Sequence, residues 1–320
     1  MDIIISENIR GKSIDALQEK YEVGFFQDLW KIPNELSRLV CDAKALIVRN
    51  QTKVDSNLLV NARSLRVIGR AGAGYDNIDI EAANEKGIVV CYAPNDNTIS
   101  TAELSISLIL SLLRKIPQAD NSTKSGKWER SKFMGNELYS KTVGLLGFGK
   151  IGRAVAFRLR SFGVNLFAYD KFVQADDKLA KELGVNITTL EDTLSNSDII
   201  SIHLPLNKET YRMINYEKLM LMKKGAYLVN AARGEIIDEQ DLIRVLKANI
   251  LKGVALDVRG KEPPVISEIE KFENVILTPH IGALTEEAQE KVVSTVVKDV
   301  DLVLNNKPAL NYVNFPFPQH

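Results

Sequence analysis

Short apolar runs alternate with amphipathic stretches along almost the whole chain. Runs at 3–5, 45–48, 67–68 and 88–91 predict strands, and apolar residues at helical spacing over 13–21 and 56–62 predict helices between them. A second series of strands follows at 143–146, 166–169, 199–203, 226–230, 254–257 and 275–277. Its intervening segments include "IGRAVAFRLRSFG" and "DEQDLIRVLKANI", each with one apolar face. Alternation of this kind buries its apolar positions as parallel sheets covered by helices.

Between the two series lie a helix at 101–113 and the polar stretch "PQADNSTKSGKWERSKFMGNELYSK". A last helix at 286–305 precedes "KPALNYVNFPFPQH", whose prolines and aromatics suit a tail packed on a surface. The expected layout is a domain at 99–287 inserted into a smaller one made of 1–98 and 288–320, with two connections suited to a hinge around a cleft. A length of 320 residues suits two domains, and 45% hydrophobic with 26% charged residues suits a soluble globular chain. Lys+Arg and Asp+Glu each number 41, so no whole-protein field recruits nucleic acid or an anionic membrane. Cys41 and Cys91 offer no disulfide framework and no CxxC spacing, which points to a reducing compartment and no metal site. The N-terminal "MDIIISENIR" lacks the charged and apolar regions of a signal peptide, and "AELSISLILSLLRKIP" is too short and too polar to span a bilayer. The expectation is a cytoplasmic chain.

A glycine-rich loop gives the first chemistry. In "KTVGLLGFGKIGRAVAFRLRSFGVNLFAYD", Gly147, Gly149 and Gly152 follow a strand and open a helix at Lys150 and Ile151. The first glycine suits a tight turn, the second close approach of backbone to a pyrophosphate, and the third close packing of helix on strand. The helix N-terminal amides suit an anion. Asp170 ends the next strand, about 20 residues on, where a dinucleotide fingerprint places the acid that binds ribose hydroxyls. That acid repels a 2′-phosphate and so favours NAD over NADP, with the adjacent Lys171 pulling the other way.

Three further strand ends carry polar residues: Arg233 in "VNAARGEIID", Asp257 and Glu262 in "VALDVRGKEPP", and His280 in "ILTPHIGA". In an open parallel sheet the cleft lies at the carboxyl ends of the strands, where these residues should converge. Moving a hydride from a hydroxy acid needs a cationic fork for the carboxylate, an acid/base for the hydroxyl and a carboxylate to hold that base. Arg233, His280 and Glu262 match those needs. Taken singly, each also reads as a solvated surface charge, and His280 as a helix-entry residue satisfied by a backbone carbonyl.

Together "GLLGFGKIG", "HLPLNKET", "NAARGEIID", "ALDVRGKEPP" and "TPHIGA" resemble, in order, the signatures of the D-isomer-specific 2-hydroxyacid dehydrogenases. The resemblance implies an α/β protein of two doubly wound parallel-sheet domains, a Rossmann NAD domain inserted into a smaller flavodoxin-like substrate domain. It implies Arg233 as carboxylate binder, His280 as acid/base and Glu262 as its partner. It also implies a cofactor site that takes in Asp257 near the nicotinamide, Ala231, Ala232, Gly282 and Ala283, with His203, Leu204, Pro205 and Thr210 around the adenosine half. One departure is visible: Arg259-Gly260 stands where many members carry an aromatic and an acid.

Within the family, "IGRAGAGYDNIDIEAANEKGI" and "IPQADNSTKSGKWERSKFMGNEL" resemble the phosphoglycerate dehydrogenase branch. That implies oxidation of D-3-phosphoglycerate to 3-phosphohydroxypyruvate on the way to serine. Long forms in this branch carry regulatory domains for which 320 residues leave no room, so feedback through one is not expected. Independently, Arg49 and Arg70 follow neighbouring strands, and the loop through Ala71, Gly72 and Ala73 offers backbone amides to an anion. Arg130 and Lys132 form a second basic cluster; by resemblance they lie on a dimer-forming arm and reach a neighbouring subunit's site. The expected assembly is a homodimer or higher homo-oligomer. A hydroxypyruvate or glyoxylate reductase shares the same catalytic residues, and an NAD-sensing corepressor-like scaffold stands as a reading of another class.

Overall fold

The computed structural model describes residues 1–319; His320, the last residue of the expected second piece of the small domain, lies outside them. The chain divides into two compact units, residues 1–97 with 283–320 and residues 98–282.

The first unit carries β1 (Ile3–Ile5), β2 (Val23–Phe25), β3 (Ala45–Val48), β4 (Val67–Arg70) and β5 (Val89–Tyr92). They form a parallel sheet in the order β2-β1-β3-β4-β5, the doubly wound arrangement of flavodoxin-like folds. Apart from the edge strand β2, its strands are buried on both faces, so successive residues feed different cores. Ile3, Ile5, Ile47 and Val67 pack with Val292, Val296 and Val300 of the helix Glu286–Leu304, whereas Ile4, Leu46, Val48 and Ile68 pack with Leu36, Leu58 and Ala83. Chain segments from both ends of the sequence therefore build one core. Asp299, fully buried, accepts the amides of Leu310 and Asn311 and ties the tail down. The tail amide of Val313 then reaches the carbonyl of Val90 in β5.

The second unit holds β6 (Thr142–Leu146), β7 (Asn165–Tyr169), β8 (Val185–Ile187), β9 (Ile199–Ile202), β10 (Tyr227–Asn230), β11 (Gly253–Leu256) and β12 (Val275–Leu277). All pair in parallel, in the order β12-β11-β10-β9-β6-β7-β8. The order reverses between β6 and β9, and such a switch point opens a crevice at the carboxyl ends of the strands. Alternating residues again supply two cores, Val143, Leu145 and Val229 on one face and Leu146, Ile202 and Leu228 on the other.

The helix expected at 101–113 runs Thr98–Arg114, three residues earlier at its start. The strand expected to reach position 203 ends at Ile202, leaving His203 in the loop beyond it. No described helix is long and apolar enough to cross a membrane.

Candidate active site

The glycine loop leaves β6 at the switch point. Gly147 has φ 101°, a left-handed conformation that disfavours side chains, and a Cβ there would lie 2.6 Å from the carbonyl oxygen of His203 after β9. A Cβ on Gly152 would come within 2.2 Å of the Gly147 carbonyl oxygen, so helix and loop pack without room for a side chain. Gly149 differs: a Cβ there meets nothing within 4 Å. The space beside it is open, and Gly149 is also the N-cap of the helix Lys150–Leu159 with no side-chain cap. An open backbone at an uncapped helix start fits a pyrophosphate. Asp170 is held beside the loop by the amides of Phe148 (2.8 Å) and Phe172 (2.9 Å), one on each carboxylate oxygen. Lys171 is turned onto Glu209, at 2.6 Å.

Beyond β9 the chain closes into a small loop. Thr210 donates its hydroxyl to the carbonyl of Pro205 at 2.6 Å and accepts the amide of Asn207 at 2.8 Å. Leu204 packs inward while Pro205 is exposed. The Nε2 of His203 lies 2.9 Å from the Ser201 hydroxyl, and its Nδ1 is enclosed without a hydrogen-bond partner among the described residues. Burial pushes this imidazole down to about 4 even though part of the residue's surface is accessible.

After β10, β11 and β12 come the expected catalytic residues. Asn230, fully buried at the end of β10, accepts the amide of Ala232 and donates to the carbonyl of Arg233. It thereby fixes the turn through Ala231 that presents the Arg233 guanidinium; sequence reading passed over it. Asp257, 1% exposed, uses both oxygens on the turn after β12. It accepts the Thr278 hydroxyl at 2.6 Å, the Ile281 amide at 2.8 Å and the Gly282 amide at 2.8 Å. Its carbonyl accepts the amide of His280 at 2.8 Å. The turn is tight enough that His280 adopts φ 55°, a left-handed conformation that few residues with side chains take up. The ring it projects is held by Glu262: Nδ1 lies 2.6 Å from Oε2. Its partner is thus a carboxylate, not a backbone carbonyl. Burial raises the Glu262 carboxyl, and the hydrogen bond and charge of His280, the Arg259 amide and nearby Arg233 outweigh it, so the group sits below its ordinary range. An ionised carboxylate on Nδ1 leaves Nε2 as the nitrogen able to exchange a proton with a ligand.

Residues 106–282 match the model of the D-isomer specific 2-hydroxyacid dehydrogenase NAD binding domain. The chain belongs to the D-isomer-specific 2-hydroxyacid dehydrogenases. It is 44% identical over 322 aligned residues to the D-3-phosphoglycerate dehydrogenase of Archaeoglobus fulgidus, covering 99% of this chain and 60% of that relative's length. Among solved structures, the TT0316 protein of Thermus thermophilus matches with a TM-score of 0.91 at 32% identity, covering 98% of this chain and 100% of that one. A glyoxylate reductase from Paecilomyes thermophila matches at 0.87 and 30% identity, covering 98% of each chain.

The first unit carries its own basic residues. Arg49 directly follows β3, and Arg70 ends β4 opposite Val48 of β3, with only 8% of its surface exposed. Arg49 donates through Nη2 to Gln289, and its enclosed Nε has no hydrogen-bond partner among the described residues. Burial lowers its pKa, offset in part by Glu7, whose carboxylate accepts the Arg49 amide at 2.8 Å. Two amides of the neighbouring loop are already committed, that of Ala71 to the Val48 carbonyl and that of Gly72 to the Arg70 carbonyl. The cradle expected across Ala71, Gly72 and Ala73 is therefore narrower than the sequence suggested. The Ala283 carbonyl accepts the Gln289 side chain, so Gln289, which sequence reading missed, links the Ala283 backbone to Arg49. In the second unit Arg130 and Lys132 are exposed on a short 3-10 turn, and the Lys132 carbonyl accepts Lys115.

Proposed function

We propose that this chain oxidises D-3-phosphoglycerate to 3-phosphohydroxypyruvate with NAD. The reading rests on the 2.6 Å bond between His280 and Glu262, set in the NAD-binding unit with Arg233 close by. NAD supplies the hydride acceptor for the substrate's C2. Gly147, Gly149, Gly152 and the helix start at Lys150 and Ile151 hold its pyrophosphate, and Asp170 its ribose. Arg233 orients the substrate carboxylate and polarises the nascent carbonyl. His280 takes the hydroxyl proton on Nε2, and Glu262 stabilises the imidazolium that results.

The phosphate is assigned to Arg49 and Arg70, assisted by Arg130 and Lys132 of a neighbouring copy. Arg49 is part-buried, and its enclosed Nε has no hydrogen-bond partner among the described residues, which suits a dianion. The likeness to a phosphoglycerate dehydrogenase supports the same substrate. The expected setting is the cytoplasm, and the expected assembly is a homodimer. A glyoxylate or hydroxypyruvate reductase is the second reading, favoured by the equally complete match to a solved glyoxylate reductase. Rates of the purified protein with NAD and D-3-phosphoglycerate, D-glycerate and D-lactate, and with NADH and glyoxylate or hydroxypyruvate, separate the two. Preference for the phosphorylated substrate supports the first reading; preference for glyoxylate or hydroxypyruvate supports the second.

A further inference from the structure

Arg259 departs from the pattern that the family resemblance led one to expect, and its surroundings show what it touches instead. Only 9% of its side chain is exposed. Its guanidinium makes a two-pronged contact with Glu239, Nε to Oε2 and Nη2 to Oε1, each 3.0 Å. The third nitrogen, Nη1, lies 2.6 Å from Glu270 Oε1. Ser267 completes the cluster, donating its hydroxyl toward Glu239 and its amide to Glu270 at 2.8 Å. Burial pushes the Glu270 carboxyl up, and the bonds from Arg259 and the Ser267 amide overcome this and hold it at about 2. Two carboxylates thus face one guanidinium, which leaves Arg259 neutralised and unsuited to binding a substrate anion.

The cluster fastens a particular piece of backbone. Glu239 opens the helix Glu239–Lys247 and Glu270 lies in the 3-10 turn Ile269–Lys271, so the side chain ties the loop after β11 to two separate elements. The main chain is pinned from the other side: a Cβ on Gly234 would sit 2.0 Å from the Arg259 carbonyl carbon and 2.3 Å from its oxygen. Only glycine next to Arg233 permits that contact. The amide of Arg259 donates to Oε1 of Glu262 at 3.1 Å, while Oε2 of the same carboxylate holds His280. One residue therefore touches the Arg233 turn, the Glu262 carboxylate and the loop's two anchors.

We propose that Arg259 is a positioning residue: its ionic clamp on Glu239 and Glu270 fixes the loop whose backbone aims Glu262 at His280. This rests on the catalytic reading of that histidine. A guanidinium fork, unlike an ammonium, can hold both carboxylates in one plane, so lysine should not replace it.

The test uses Arg259→Met, Arg259→Lys, Glu239→Gln, His280→Ala and the double variant Arg259→Met/His280→Ala. It measures kcat and KM with the best substrate and NAD affinity by fluorescence titration. Arg259→Met and Arg259→Lys should each lower kcat about 10- to 100-fold, the scale of losses from small misplacements, with NAD affinity and substrate KM within about threefold of wild type. Glu239→Gln, nearly isosteric and at the clamp's edge, should lower kcat in the same direction and decides the matter if the Arg259 variants do not fold. Adding Arg259→Met to His280→Ala should cost nothing further, because the arginine acts only through that histidine. Wild-type kcat in Glu239→Gln, or a double variant that falls multiplicatively below His280→Ala, overturns the proposal and leaves the clamp as structural support. Full activity in His280→Ala overturns the catalytic reading itself, a separate outcome.

Discussion

Lys171 places its ammonium between both carboxylate oxygens of Glu209, at 2.6 and 2.7 Å. The cation next to Asp170 is therefore answered from the loop after β9, and the proposed cofactor choice rests on the Asp170 carboxylate. Asp170→Ala should relax the preference for NAD, and Glu209→Gln added to it should improve NADP use further by freeing Lys171, each step by roughly tenfold or less since the pair is solvent-exposed. The check is the ratio of kcat/KM for NAD and NADP in the three proteins. Equal use of both cofactors by the unmodified protein would remove the role given to Asp170.

Arg49 and Arg70 are expected to read the substrate's phosphate. Charge-assisted bonds of this kind are worth on the order of 1.5–3 kcal/mol, so Arg49→Ala or Arg70→Ala should raise KM for D-3-phosphoglycerate roughly 10- to 100-fold. Any activity on D-glycerate should hardly change, because that substrate has no phosphate. A selectivity ratio that does not move in either variant would favour the reductase reading.

The arm between the two strand series exposes large side chains, with 80% of Trp128 and 79% of Met134 accessible. Covering them in a closed two-fold pair is the expected assembly. Sedimentation at micromolar concentration should give twice the chain mass, and Trp128→Glu with Met134→Glu should shift the protein to monomer. A monomeric wild type would contradict this.

Stability should depend on His203. The ring is neutral in the folded chain down to about pH 4, whereas in the unfolded chain it gains a proton near pH 6.5. The unfolded state then binds more protons between those values, so stability is full above about 6.5 and falls as pH drops toward 4. Tm should decline over that window, and His203→Gln should flatten the decline in its upper part, pH 5 to 6.5, where few carboxylates titrate. An unchanged slope in the variant would assign it to other groups.

Much of this was legible from the pattern of apolar residues, because strands buried on both faces write continuous apolar runs. The two strands that were not, Val23–Phe25 and Val185–Ile187, each hold three residues at a sheet edge with a single buried position, too little apolar surface to leave a run. The glycine loop, Arg233, Glu262 and His280 could be singled out as candidates because strand ends and loop spacing place them. The residues that hold them in place could not. Asn230 reads as an ordinary strand end, and Glu209, Glu239 and Glu270 read as surface charge, since a carboxylate's partner in another segment leaves no mark on its own neighbours. The departure at Arg259 was visible, but only the structure joins it to Glu239 and Glu270.

The central claim is that the imidazole held by Glu262 moves the proton. His280→Ala is the most direct test, measured as turnover with NAD and D-3-phosphoglycerate beside NAD affinity in the same preparation. The account predicts a loss of about 10²- to 10⁴-fold in kcat, the usual scale for a missing general base, with NAD binding close to wild type. Turnover near wild type in a folded, NAD-binding variant would contradict it and leave His280 as a well-fastened turn residue.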